Sequence, residues 1–205
     1  MSKNKISKNW LSERKRDFYF NQSKIQGYRS RAAYKLIEMN DKFKFIKKDT
    51  CLLDLGSCPG GWSQVAAKLI TKGEILATDI KNMEKLNKVT FIRGDMNDKE
   101  FCEKIYKYFN KKVDVIISDM AANTTGNKDL DVYRTGELCL NSMDLSKKIL
   151  KRDGVFLTKV FMGSVFEEVH EKAKKYFNKV IKYKPLAGKS SSKEIYFFCK
   201  GLLNI

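Results

Sequence analysis

The sequence has little of what several common kinds of site require. It contains one histidine, two prolines and five cysteines, and no two cysteines form a C-x-x-C pair. With His170 as the only imidazole, neither a Ser-His-Asp network nor a histidine-rich zinc site is expected, and we predict no metal. The odd number of cysteines, most of them beside apolar residues, is typical of reduced thiols in a reducing compartment.

Long apolar segments are also missing. No run approaches the ~18 residues of a membrane-spanning helix. The Lys-rich N-terminus has no apolar core of the kind found in secretory signals, and its acidic residues are unusual for a transit peptide. We therefore expect a soluble intracellular protein with no membrane-spanning segment. It would be cytoplasmic in a bacterium, whereas a mitochondrion or another organelle is also open in a eukaryote.

Positive charge is what the sequence has in excess. The 41 Lys and Arg residues outnumber 24 Asp and Glu residues, which gives a formal net charge of +17. Because 42% of the residues are hydrophobic, this charge sits on a folded chain and predicts an acidic partner, either nucleic acid or an anionic membrane surface. AT-rich coding, which favours Lys, Asn and Ile, would explain part of the surplus without a partner.

The first 35 residues concentrate this charge. They hold ten basic and two acidic residues, and aromatic residues stand among them. The aromatic residues are Phe18, Tyr19, Phe20, Tyr28 and Tyr34. Such a mixture suits RNA, because bases stack on aromatic rings while cations contact phosphates. A solvated basic helix whose aromatic side chains pack inward is the alternative.

Strand-like and helix-like segments alternate along the rest of the chain. Strands are predicted over 51–55, 74–79, 89–93, 113–118, 154–161, 179–183 and 194–199, and helices over 30–40, 61–71, 99–110, 131–150 and 164–177. This alternation predicts an α/β fold with a mostly parallel seven-stranded sheet and helices on both faces. The last two strands predict a terminal hairpin with an antiparallel edge strand. We expect a single domain over 1–205, in which 1–29 form a basic RNA-binding extension and 30–205 the catalytic fold.

A glycine-rich segment, LLDLGSCPGGWSQVA, occupies residues 52–66 between the first strand and the next helix. In α/β sheets this crevice binds nucleotide-like cofactors, and glycines let the backbone approach them closely. The segment is not G-x-G-x-x-G, so a dinucleotide site is not indicated. Asp79 ends the second strand, where it can accept hydrogen bonds from ribose hydroxyls, and Asp95 follows the third, where it can meet an adenine amino group. Together these features resemble the S-adenosylmethionine loop of Rossmann-like class I methyltransferases.

Four polar residues stand where the pattern does not favour them. Lys35 lies in the first predicted helix, within RSRAAYKL, and Asp119 directly follows the strand VIIS. Lys159 interrupts the strand FLTKVF, where a buried charge is costly unless it is paired. Glu194 opens EIYFF after a Ser-rich loop. Taken singly, each has an ordinary interpretation as a helix-surface lysine, a turn residue, a lysine that reaches solvent from a sheet edge, or an exposed strand start.

Taken together with the glycine-rich segment, they resemble the FtsJ family of RNA ribose 2′-O-methyltransferases, which has a Lys-Asp-Lys-Glu tetrad in this chain order. The resemblance runs from about Trp10 to Gly201 and rests on R-S-R-A-A-Y-K-L, D-L-G-x-x-P-G-G-W-S-Q, S-D-M-A-x-N-x-x-G and K-V-F. SDMAANTTG and GGW are similar to the bacterial and organellar enzymes that modify a uridine in large-subunit ribosomal RNA. Two departures are Cys58, where a small apolar residue is usual, and Ala122 before Asn123, where Pro is common.

The resemblance implies that Lys35, Asp119, Lys159 and Glu194 are catalytic, with Lys159 nearest to the role of general base. The neighbouring carboxylates would instead favour its ammonium form, which would orient the hydroxyl and stabilise the developing alkoxide, so both roles stay open. The implied cofactor is S-adenosyl-L-methionine, converted to S-adenosyl-L-homocysteine, without a metal. The residues expected to bind it are Asp54, Gly56, Pro59, Gly60, Gly61, Trp62, Asp79, Asp95, Met96 and Asp119.

The implied partner is RNA, namely ribosomal RNA within the large subunit, and a monomer is expected because the RNA supplies the partner surface. Lys24, Arg29 and Arg31 are expected to contact phosphates, which position RNA without reading its sequence. The same chemistry on tRNA is one alternative, and a messenger cap would need a methylated-purine site that we do not identify. A dehydrogenase lacks its phosphate fingerprint here. A non-catalytic RNA-binding protein on this fold is disfavoured by the presence of all four tetrad residues.

Overall fold

A computed structural model describes residues 18–123, 125–188 and 192–204. The helices are α1 (18–25), α2 (Ala32–Phe43), α3 (Gly61–Leu69), α4 (Lys99–Phe109), α5 (Lys128–Ile149) and α6 (Phe166–Tyr176). The strands are β1 (Cys51–Leu55), β2 (Glu74–Asp79), β3 (Thr90–Arg93), β4 (Val113–Ser118), β5 (Leu150–Phe161), β6 (Phe177–Tyr183) and β7 (Glu194–Leu202). Most of the basic extension, residues 1–17, lies outside the described residues.

All seven predicted strands and five predicted helices are present. The largest difference in a strand is at β5, which begins at Leu150 rather than at residue 154. Its second to fourth residues are exposed, so they carry no apolar pattern from which a strand could be predicted. The helix α1 was not among the predicted elements, because its residues mix charge and aromatic side chains without a clear period.

The strands form one sheet in the order β3-β2-β1-β4-β5-β7-β6. Strands β1 to β5 are parallel, whereas β7 pairs antiparallel with both β5 and β6. The predicted terminal hairpin is therefore confirmed, with a correction to its order: the antiparallel strand β7 lies one position in from the edge, and β6 forms the edge. The chain reverses direction across the sheet between β1 and β4, and such a switch point opens a crevice at the carboxyl ends of the strands.

Apolar side chains bury both faces of the sheet, which confirms helices on both sides. One cluster joins the sheet to α4, α5 and α6 through residues such as Phe101, Met143 and Val169. The other joins it to α2 and α3 through Leu36 and Trp62. Every residue of β1 is buried, as expected for a central parallel strand. The five cysteines are free thiols, and no helix of the described residues is long and apolar enough to cross a membrane.

Candidate active site

Two neighbouring cavities lie at the carboxyl ends of β1, β2 and β4. The first has a volume of ≈ 510 Å³ and is lined by Asp79, Asp95 and Met96, together with the loop after β4 and one side of α5. The second has a volume of ≈ 260 Å³ and lies between the start of α2 and the glycine-rich loop. Gly56, Cys58 and Asp119 line both cavities, so the two spaces meet at these residues.

Glycine is needed at two points of this loop for different reasons. Gly56 has φ = +72°, and a Cβ atom there would lie 2.3 Å from Cγ of Met120. Gly60 has φ = +109° and caps α3 at its N-terminus. Both backbone conformations are ones that side-chain-bearing residues rarely adopt. Gly56 therefore brings bare backbone to the junction of the two cavities.

The expected cofactor residues divide into those that face the cavities and those that support them. Asp79 accepts hydrogen bonds from the backbone N–H of Cys58 (2.9 Å) and of Lys81 (2.8 Å), and so holds the loop while it lines the first cavity. Asp95 accepts from the backbone N–H of Asn97 at 2.9 Å. Each carboxylate keeps lone pairs for a further donor.

Three more of the expected residues lie around the second cavity. Pro59, Gly61 and Trp62 all line it. The indole N–H of Trp62 donates to the carbonyl of Ala32 at 2.8 Å, so this side chain fixes α3 against α2. Gly60, by contrast, lines neither cavity among the described residues and serves the turn into α3.

Asp54 is a buried carboxyl group below the second cavity. Only 1% of the residue is exposed, and its Oδ2 accepts a hydrogen bond from the Ser63 hydroxyl at 2.6 Å. Burial, together with the nearby charges of Asp119 and Asp79, raises the pKa of Asp54 to about 7, although the Ser63 hydroxyl opposes the shift. The Asp54 carboxyl group, which lines the second cavity, therefore changes its charge near neutral pH.

The four residues of the expected tetrad come together as two ion pairs. The Lys35 ammonium lies 2.5 Å from Oε1 of Glu194. The Lys159 ammonium lies 3.1 Å from Oδ1 of Asp119 and donates to the backbone carbonyl of the same residue at 2.6 Å. Both lysines are buried, with 7% and 8% of their surface exposed. A charge inside strand β5 is tolerated because it has these partners.

Tyr196 joins the two pairs and was missed in the sequence. Its hydroxyl lies 2.6 Å from Oδ1 of Asp119 and 3.0 Å from Oε1 of Glu194, and it accepts a hydrogen bond from Lys35 at 3.0 Å. The residue is fully buried. Its position two residues after Glu194 in a strand places both side chains on one face of the sheet, and this spacing was a usable signal. Across the strand pair, Tyr196 lies directly opposite Lys159.

The charges of this group depend on one another. Burial opposes ionisation of Asp119, but the ammonium groups of Lys159 and Lys35 and the hydrogen bond from Tyr196 outweigh it and hold the pKa of Asp119 below its usual value. Burial and the two carboxylates raise the pKa of Tyr196 well above its usual value. The group therefore presents a charged carboxylate and a neutral phenol at neutral pH.

The three expected RNA contacts differ in their surroundings. Lys24 is exposed, with its ammonium 4.4 Å from the centre of the Phe20 ring. Arg29 donates to three backbone carbonyls. Arg31 lines the second cavity, and its buried Nη1 has no hydrogen-bond partner among the described residues. Of the two arginines, Arg31 is the one with a buried terminal nitrogen that makes no hydrogen bond among the described residues.

A grouping of possible metal ligands lies elsewhere. Glu167, His170 and Glu171 on α6 place their ligand atoms within 4.8 Å of one another, and it is the one such grouping of the described residues. None of the three lines either cavity. The site described above is thus built from ammonium groups, carboxylates, a phenol and backbone.

Comparisons with known proteins identify the family. The model of the FtsJ-like methyltransferase family matches residues 28–202. Ribosomal RNA large subunit methyltransferase E of Pelagibacter ubique is 46% identical over 200 residues, which cover 98% of each chain. The protein of the same name from Acinetobacter baylyi is 41% identical over 96% of this chain and 92% of its own.

Solved structures show the same fold. A crystal structure assigned as a ribosomal RNA methyltransferase of Plasmodium falciparum has a TM-score of 0.77 and 33% identity, and covers 87% of this chain and 100% of its own. Human methyltransferase-like protein 13 in complex with SAH has a TM-score of 0.56 and 15% identity over 82% of this chain and 79% of its own, and this similarity concerns the fold alone. With the family model matched across most of its length and relatives this similar, the chain belongs to the FtsJ-like methyltransferase family.

Proposed function

We propose that this chain transfers a methyl group from S-adenosyl-L-methionine to the 2′-oxygen of a ribose in RNA, with a uridine of large-subunit ribosomal RNA as the substrate. The observation that carries the proposal is the position of the tetrad. Asp119 belongs to both cavities and to the cluster with Lys35, Lys159 and Glu194. A cofactor that spans the cavities would have its middle beside these groups.

The cavities fit that cofactor in size and in chemistry. Three buried polar atoms that line them have no hydrogen-bond partner among the described residues, namely Oγ of Ser57, Oγ1 of Thr78 and Nη1 of Arg31. Buried polar atoms without partners are rare, and a ligand would satisfy them. Asp79 would hold the ribose, with Asp95 and Met96 at the adenine. The glycine-rich loop and Asp54 would hold the methionine end.

When bound, the cofactor supplies a methyl group on a positively charged sulfur. The protein's part is to place the 2′-oxygen and to accept the proton that it loses as the oxygen–methyl bond forms and the sulfur–methyl bond breaks. The ionised carboxylate of Asp119 would accept this proton if Lys159 is an ammonium, and Lys159 itself would accept it as a neutral amine. As an ammonium, Lys159 donates a hydrogen bond to the backbone carbonyl of Asp119 and forms an ion pair with Oδ1 of the same residue, so an ammonium hydrogen is left for the 2′-oxygen. That hydrogen would orient the oxygen and stabilise the negative charge that develops on it. Lys35, Glu194 and Tyr196 would keep this pair in place.

The RNA substrate is supported by charge and by the relatives. The net charge of +17 favours a polyanion. Two relatives with at least 40% identity carry the name of a large-subunit ribosomal RNA enzyme. The exposed Lys24 and the free nitrogen of Arg31 would contact phosphates. We expect the chain to act as a monomer. Because these two relatives are bacterial enzymes, we expect it to act on the ribosome in the cytoplasm.

Methyl transfer from labelled S-adenosylmethionine tests the proposal. Large ribosomal subunits, naked large-subunit RNA and bulk tRNA are offered side by side, and 2′-O-methyl positions are mapped. Label on a uridine of large-subunit RNA is the expected result. Label on tRNA alone would keep the chemistry and overturn the substrate. Tight cofactor binding without any label would support the non-catalytic RNA-binding alternative.

A further inference from the structure

Arg29 connects its own segment, before α2, with two other segments of backbone. Its Nη1 donates to the carbonyls of Pro59 (3.2 Å) and Glu84 (2.7 Å), and its Nη2 donates to the carbonyl of Lys85 (3.0 Å). The side chain is 19% exposed. One guanidinium thus ties the chain before α2 to the glycine-rich loop and to the connection between β2 and β3.

Gln64 completes the attachment from the side of α3. Its Oε1 accepts from the backbone N–H of Arg29 at 2.7 Å, and its Nε2 donates to the carbonyl of Gly27 at 2.9 Å. These two bonds fix the backbone of Arg29 independently of its guanidinium. The residue is therefore held at both ends.

The segments that Arg29 joins form walls of the two cavities. Pro59 lies between Cys58, which lines both cavities, and Gly60, whose Cβ position would be 2.9 Å from Nη1 of Arg29. The connection between β2 and β3 contains no helix or strand, and its first residues, Ile80 and Lys81, line the first cavity. An irregular connection of this kind keeps its shape only where other groups hold its backbone.

Phosphate recognition by arginine needs the planar edge of the guanidinium to be free. In Arg29 three of the five guanidinium N–H groups already donate to carbonyl oxygens, both terminal nitrogens are engaged, and Nη2 also lies 3.8 Å from Oε2 of Glu84. We propose that Arg29 is a positioning residue, which holds the two loops of the cofactor site in their binding conformation and does not contact RNA phosphates. The inference rests on the proposed function for the identity of the ligand. It replaces the expectation that Arg29 grips phosphate.

The test compares Arg29→Ala, Arg29→Lys and the uncharged change Gln64→Leu with Lys104→Ala, a charge-matched control on an exposed position of α4. Affinity for S-adenosylmethionine is measured by calorimetry, and RNA binding is measured over a range of salt concentrations. We expect the three test variants to bind S-adenosylmethionine about tenfold more weakly, equivalent to ~1.4 kcal/mol. Arg29→Lys should not restore the affinity, because a single ammonium group cannot reach the three carbonyls that the planar guanidinium contacts.

Turnover separates positioning from general damage. The KM for S-adenosylmethionine should rise, while kcat at saturating cofactor and the KM for RNA stay near those of the control. A phosphate contact would instead lower the slope of log K against log salt by about 1 in Arg29→Ala, leave cofactor affinity unchanged, and be rescued by Lys. That result would overturn the inference.

Hydrogen exchange of the unliganded protein keeps the inference testable even if S-adenosylmethionine is not the ligand. We expect faster exchange in the segments 57–61 and 82–86 of Arg29→Ala and Gln64→Leu, with unchanged exchange in β1 and β4. Failure of the wild-type chain to bind S-adenosylmethionine would refute the proposed function alone. Unchanged exchange in both segments would refute the positioning role.

Discussion

Replacing Asp54 by asparagine should stabilise the unliganded protein, and more so at higher pH. The carboxyl group is 1% exposed and its pKa is raised to about 7, chiefly by burial. In the unfolded chain the same group ionises near pH 3.8. Because the folded pKa lies above the unfolded one, ionisation favours unfolding, and this cost grows as pH rises from about 4 to about 7.

The magnitude follows from the two pKa values. Each pH unit between them corresponds to 1.36 kcal/mol, so the full cost above pH 7 is about 4 kcal/mol. Asparagine is neutral and close to the same shape, and its carbonyl oxygen can still accept from Ser63. The amide N–H groups of asparagine need acceptors, however, and an unsatisfied donor would reduce the gain in the free energy of unfolding by about 1–3 kcal/mol.

Urea unfolding of the wild type and Asp54→Asn at pH 5, 6, 7 and 8 measures the effect. We expect the free energy of unfolding of the variant, relative to the wild type, to rise by about 1.4 kcal/mol per pH unit up to pH 7 and to level off above it. The constant cost of the amide cancels in this comparison. A difference that does not change with pH would show that Asp54 is already ionised in the folded protein and would refute the reasoning.

Three further substitutions test the cluster and the loop. Lys159→Ala should leave S-adenosylmethionine affinity intact and reduce methyl transfer by orders of magnitude, measured with labelled cofactor. Tyr196→Phe should lower the free energy of unfolding by about 2 kcal/mol, because Asp119 loses a charge-assisted hydrogen bond, and this is measured by urea unfolding. Gly56→Ala should weaken cofactor binding by calorimetry, because φ is +72° and the added Cβ would lie 2.3 Å from Cγ of Met120.

Each of these has a contrary outcome. Unchanged turnover in Lys159→Ala would refute the tetrad mechanism. Lys159→Arg keeps the positive charge, and it checks whether the loss of methyl transfer reflects the lost contact of Lys159 rather than the lost charge. Equal free energies of unfolding of Tyr196→Phe and the wild type would mean that the hydrogen bonds of the Tyr196 hydroxyl do not stabilise the fold. Wild-type cofactor affinity in Gly56→Ala would mean that Met120 moves aside without cost.

The sequence was sufficient for the strands and for naming four residues that the structure brings together, because both depend on local signals. Runs of three apolar residues within short segments marked β1, β2 and β4, and acidic residues at or directly after strand ends marked Asp79 and Asp119. A lysine inside an apolar strand indicated an unseen partner, and Asp119 is that partner.

What the sequence did not reveal depends on contacts between distant segments. The spacing of Tyr196 from Glu194 indicates a shared face, but the pairing of β7 with β5 is what places the Tyr196 hydroxyl among the charged groups. Arg29 and Arg31 are the two arginines of the RSR segment and look alike in the sequence. In the structure, Arg29 donates to three backbone carbonyls, whereas Nη1 of Arg31 has no hydrogen-bond partner among the described residues. The order of β6 and β7 likewise follows from how the hairpin docks on β5.

The reversed direction of β7 makes backbone pairing a determinant of the geometry of the charged cluster. The parallel strands reach the site with their ends, but an antiparallel strand reaches it with its beginning, and here two of its residues, Glu194 and Tyr196, point to one face. Their partners opposite are Phe161 and Lys159. A slip of one residue between β5 and β7 would send both side chains to the other face. The backbone hydrogen bonds between these two strands thus set the position of Glu194 and Tyr196 relative to Lys159.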